Sequence, residues 1–150
     1  MLFNANQTRS ADMRLQMTCF SLILLLVAGC QVTPEREENR TLNAGEVQAL
    51  FSGKTVEALN LITGKTSIIY YSPEGGLLLE SNWEQKPGLW TVEDSGEICL
   101  QIENTDSKCR SIALINGRYY KQRPNGNGGQ ELIIRYRRFA DGNELAPGSY

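Results

Sequence analysis

From residue 54 to residue 139 the chain is a series of short apolar or alternating runs, none long enough for a buried helix. The runs are residues 54–61, 67–72, 77–83, 89–93, 97–103, 109–115, 118–123 and 131–139. Between them lie turn signals: Thr63-Gly64, the PEGG of residues 73–76, Pro87-Gly88, Ser95-Gly96, residues 104–107, Asn116-Gly117 and residues 124–129. Such regular spacing predicts a mainly β fold, an antiparallel meander forming a curved sheet or small barrel of about eight strands. Asn116-Gly117 is the strongest hairpin signal, because both residues tolerate positive φ. One short N-terminal helix precedes the strands, over residues 41–51. Asn43 caps it, Glu46 completes a capping box, Val47, Leu50 and Phe51 share a face, and Ser52-Gly53 stops it.

Alternation assigns the inner face to Trp90 and Val92, to Ile98, Leu100 and Ile102, to Ile112 and Leu114, and to Leu132, Ile134 and Tyr136. Trp90 reads as a core anchor. The cysteines complicate this pattern. A hairpin centred on Asn104 sets Cys99 opposite Cys109 but pairs Ile98 with Arg110. A turn centred on Thr105-Asp106 pairs Ile98 with Ala113 and puts the cysteines on opposite faces. A bulge near residues 107–110 is the expected reconciliation.

The only long apolar run lies earlier, at residues 20–27, and is shorter than the ~20 residues a membrane span needs. Leu26-Val27-Ala28-Gly29-Cys30 resembles the lipobox of bacterial lipoproteins, with Arg9 and Arg14 ahead of it; a start at Met13 would serve equally. The resemblance implies cleavage before Cys30 and acylation of that cysteine, so the partner it implies is a membrane. Two or more acyl chains anchor stably where one does not. Gln31, rather than Asp, points to the periplasmic face of the outer membrane; a Gram-positive host would place the protein on the outside of its one membrane. The organisation expected is a signal peptide over residues 1–29, a charged, disordered tether over 30–41, a β domain over 42–145 and a tail over 146–150. In such an oxidising compartment Cys99 and Cys109 are expected to form a disulfide.

Histidine is absent from all 150 residues. Its absence removes the commonest general base, the commonest metal ligand and the usual partner of a Ser or Cys nucleophile. The carboxylate pairs Glu80/Glu84 and Glu93/Glu97 are placed in no shared cleft by the sequence, and two thiols without histidine rarely complete a zinc site. The expectation is therefore no enzyme, no catalytic residue, no metal and no cofactor. Past Cys30 the charge is −3, with 13 Lys+Arg (15 less Arg9 and Arg14) against 16 Asp+Glu (17 less Asp12), which offers nothing to nucleic acid.

That charge is unevenly laid out. Residues 73–106 hold eight acids and one base; residues 107–138 hold eight bases and one acid. One reading is a basic face, with Arg118, Tyr119, Arg135 and Arg137 as candidate binding residues for an anionic envelope component or a protein partner. The other is acid–base pairing across the sheet. The pieces Gly88-Leu89-Trp90, Cys99, Cys109, Gly117-Arg118-Tyr119-Tyr120 and Phe139 to Asn143 resemble small secreted β-proteins of Proteobacteria, which carry no established activity to transfer. G-x-W also resembles lipocalins, which implies a carrier of a small apolar ligand with a cavity of several hundred Å³. An inhibitor of a secreted hydrolase is a further alternative, on size and disulfide alone.

Overall fold

The computed structural model describes residues 39–146. The signal segment, Cys30 and most of the tether lie outside the described residues. The elements are β1 (Arg40–Thr41), α1 (Ala44–Phe51), β2 (Lys54–Asn60), β3 (Thr66–Tyr71), β4 (Gly76–Ser81), β5 (Glu84–Val92), β6 (Ile98–Ile102), β7 (Lys108–Ile115), β8 (Arg118–Pro124) and β9 (Gln130–Asp141). Strands β2 to β9 pair in sequence, β9 pairs back onto β2, and all pairings are antiparallel, so eight strands close a barrel. β1 is an extra strand beside β7.

The capping box of α1 forms with both arms: Asn43 Oδ1 accepts from the Glu46 amide at 3.0 Å, and a Glu46 carboxylate oxygen accepts from the Asn43 amide at 2.9 Å. Arg40 holds the same carboxylate with two hydrogen bonds of 2.8 and 2.6 Å. That guanidinium and the Asn43 amide lower the Glu46 carboxyl to about 2. Val47 and Phe51 are buried and plug one end of the barrel. Phe51 packs at ring distances of 4.9 Å on Tyr71, 5.0 Å on Tyr136 and 5.7 Å on Phe139, and Trp90 meets Tyr71 edge-on at 5.4 Å. Trp90 also donates from Nε1 to the Ser72 carbonyl at 2.8 Å, so its polar edge is satisfied in the core.

Three local expectations are corrected. No bulge occurs where β6 meets β7: Ile98 faces Arg110, Cys99 faces Cys109 and Leu100 faces Lys108 without a shift, and the disulfide joins the two cysteines. The conflict is resolved by letting Arg110 share the inner face with Ile98. Bulges lie instead on β9, where Ile133 and Arg137 are the unpaired residues. Each extra residue reverses the facing of the strand beyond it, and Leu132, opposite the outward Gln122, leaves the inner set. Pro87-Gly88 is interior to β5, not a break. In an antiparallel ladder a residue's N–H and C=O point the same way; the Pro87 carbonyl accepts from the Glu103 amide at 2.8 Å, so its missing N–H lies where the β6 ladder has ended. A Cβ on Gly88 would come 2.4 Å from the Gln101 carbonyl oxygen, which keeps that site for glycine. The β4–β5 turn falls at Asn82-Trp83, both with positive φ (54° and 66°), as at Asn116 and Gly117 (49° and 70°).

Residues 40 and 41, assigned to the tether, are β1. Arg40 faces Leu114 and Thr41 faces Ala113, and the Leu42 amide donates to the Ile112 carbonyl at 2.8 Å. β6 covers only the first half of β7, so β1 takes the same line beside the second half. Gly96 lets the chain cross there: its φ is +85°, and a Cβ would lie 2.6 Å from the Leu42 carbonyl oxygen.

Candidate functional site

Antiparallel order puts the starts of β2, β4, β6 and β8 at the end of the barrel filled by α1. The opposite end is not filled. There a cavity of about 190 Å³ is lined by Ala58, Asn60, Ser67, Ile69, Leu79, Leu100, Ile102, Lys121, Ile134 and Tyr136. Leu100 and Ile134, expected in the interior, are thus walls of a space and not its filling. Lys121 is on the inner face of β8 because it stands opposite the fully buried Ile112. Sequence places it among the surface bases; the structure buries it, only 9 % exposed. Burial, and then the like charge of Arg110, lower its ammonium to about 8. No hydrogen bond or ion pair holds it among the described residues. Deeper in the core the buried hydroxyls of Tyr71 and Tyr136 interact with each other and meet no further partner among the described residues, and burial raises both phenols.

The loops around this open end expose Leu61, Ile62 and Trp83. Outside the barrel a shallow hollow runs past Pro87, Gly88, Leu89, Glu103, Asn104 and Thr105, with no buried polar group in it.

The second feature is on the outer surface of β8 and β9. Arg118, Arg135 and Arg137 surround a hollow of about 300 Å³. The β9 bulge at Arg137 is what lets Arg138 face outward together with Arg135 and Arg137. Tyr119 is not part of this group: it stands opposite Leu114 on the inner face and packs on Phe139 at 5.6 Å. Tyr120, opposite Arg135, is the tyrosine that shares the arginines' face. Arg137 reaches Glu57 at 3.4 Å and Arg138 reaches Glu144; Arg118 and Arg135 form no ion pair among the described residues.

The acid-rich and base-rich halves map to adjoining walls, β4 to β6 and β7 to β9, which meet where β6 pairs with β7. Lys86 bridges Glu84 and Glu103 within the acidic wall, and Arg123 bridges Glu131 within the basic one. No ion pair joins the two blocks among the described residues. Glu80 and Glu84 are spent on Gln85 and Lys86. Glu93 lies 3.6 Å from the Cys99 sulfur, but both cysteine sulfurs are in the disulfide and offer a metal no thiolate. No helix among the described residues is long and apolar enough to cross a membrane.

No protein family and no curated protein matches this chain.

Proposed function

We propose that the chain is a lipid-anchored binding protein of the cell envelope, acylated at Cys30 and without catalytic function, whose basic wall engages an anionic envelope component. The observation that supports it is the state of the arginines. Charged residues on solvated strands ordinarily pair with opposite charges across the sheet, yet among the described residues no ion pair joins the two blocks, and Arg118 and Arg135 lie beside Arg137 around one hollow. A guanidinium presents a fork of donors that fits phosphate or carboxylate. The lipobox supplies the compartment in which such anions are presented as a surface.

The test compares the native protein with Cys30→Ser in cells fed a labelled fatty acid, and then the soluble Cys30→Ser form on vesicles. Label is expected on the native protein alone. The soluble form is expected to pellet with vesicles of phosphatidylcholine doped with lipid A and not with phosphatidylcholine alone. Arg118→Gln with Arg135→Gln should weaken that association about tenfold or more, each charge-assisted contact being worth ~1.5–3 kcal/mol. Equal pelleting by the double variant, or no label on the native protein, overturns the reading.

A further inference from the structure

We propose that the open end of the barrel is a binding site for a small amphipathic monocarboxylate, its carboxylate on the Lys121 ammonium and its alkyl body against Leu79, Leu100, Ile102 and Ile134. This site is separate from the basic wall and does not depend on it.

A lysine only 9 % exposed, with no partner among the described residues, is a costly arrangement in a folded chain, because burial strips water from it and returns nothing. Arg110, on the inner face of the neighbouring β7, adds a second positive charge. The cavity lining contains no acid. From β9 the groups facing Lys121 are Ile134 and Tyr136, whose phenol stays neutral; of the acids at this end of the barrel, Glu84 and Glu103 are held by Lys86 at 3.5 Å, Glu131 by Arg123 at 2.8 Å and Glu80 by Gln85 at 3.0 Å, and neither these nor Asp106 line the cavity. Among the described residues nothing supplies the counter-charge, which a bound anion would provide. The rest of the lining says what the charge is attached to. It is mostly aliphatic, with Asn60 and Ser67 as its only other small polar groups. At roughly 30 Å³ for each group the size of a water molecule, 190 Å³ holds about six, which matches the carbon chain of a six-carbon acid. Arg110 is not part of the lining, so the single ammonium within it meets one negative charge, which favours a carboxylate over a phosphate dianion.

The site also makes a prediction about protonation. A bound carboxylate favours the charged amine, so Lys121 should titrate higher in the complex than in the free protein, and affinity should fall as pH rises through the free amine's value near 8.

Sodium hexanoate is the probe, with 1-hexanol and hexyl phosphate as comparisons, followed by calorimetry and by the NMR signal of the Lys121 side chain. Hexanoate is expected to bind at millimolar concentration and to move the Lys121 titration upward. Lys121→Met should weaken hexanoate about tenfold while leaving 1-hexanol unchanged, since the stem and the apolar walls remain. Leu100→Trp, which fills the cavity, should abolish both. Three results overturn the proposal: no hexanoate binding at millimolar concentration, an unchanged affinity in Lys121→Met, or a Lys121 titration that hexanoate does not shift. Tighter binding of hexyl phosphate than of hexanoate overturns the carboxylate assignment. The NMR titration uses the native sequence, so the test stands even if a variant does not fold.

Discussion

At the scale of single residues, Lys121 is the position where sequence and structure part most. Residues 118–123 read Arg-Tyr-Tyr-Lys-Gln-Arg, which carries no apolar alternation to mark an inner face; only the pairing of Lys121 with Ile112 shows that it points inward. The same loss of signal explains the choice of Tyr119 over Tyr120. Stability carries the cost. In the unfolded chain Lys121 titrates near 10.5 and in the folded one near 8, so between those values the unfolded chain binds more protons and stability rises with pH. Below about 8 the penalty is fully present and amounts to roughly 3 kcal/mol at about 1.4 kcal/mol per pH unit. Lys121→Met should therefore raise the urea midpoint at pH 7, and the advantage over the native protein should shrink by pH 10. A variant less stable than the native protein at pH 7 would show that the amine is compensated in some other way.

Among elements, the strands were legible wherever apolar alternation and glycine turns coincided, and obscured wherever pairing overrode them. β2, β3, β7 and β8 begin and end within about a residue of their expected limits, and the Asn43 capping box fixes α1. β5 was missed in its first half because Pro87-Gly88 looks like a turn, and its true turn at Asn82-Trp83 hides behind an aromatic residue. The bulges of β9 are set by its two neighbours together, and no run within β9 announces them. The weakest seam is between β6 and β7, with three residue pairs before β1 takes over. The disulfide lies in the middle of it, closing a loop with a sequence separation of 10. On chain entropy alone such a closure is worth roughly 3 kcal/mol. Cys99→Ser with Cys109→Ser should lower the unfolding free energy by about that amount in urea, with a larger m, since the open chain exposes more surface when unfolded. A loss well under 1 kcal/mol would mean that the seam is held by its hydrogen bonds and packing.

For the molecule as a whole, the sequence announced the eight strands that close the barrel but not the ninth, β1, that lies beside β7. Two residues in a charged stretch give no strand signal, and what recruits them is long-range: the second half of β7 has no β6 partner and its edge would otherwise stay open. The backbone alternation makes Arg40 and Leu114 a hydrogen-bonded pair, because Leu42 bonds Ile112 two residues away. Asn39 Oδ1 adds a hydrogen bond from the Asn116 amide at 3.0 Å, and Arg40 ties the same segment to α1 through Glu46. The entry to the domain is therefore built into the barrel wall at the end that α1 plugs, opposite the open cavity. A chain beginning at Leu42 keeps the Asn43 cap but loses β1. Compared with a chain beginning at Asn39, it should be less stable by about 2 kcal/mol, the sum of two backbone hydrogen bonds at ~1 kcal/mol each. Hydrogen exchange at the Leu114 amide should become faster by more than that at Trp90, because the opening is local to the β7 edge while β5 stays inside the sheet. Equal protection of Leu114 in the two chains would show that β1 does not guard the β7 edge.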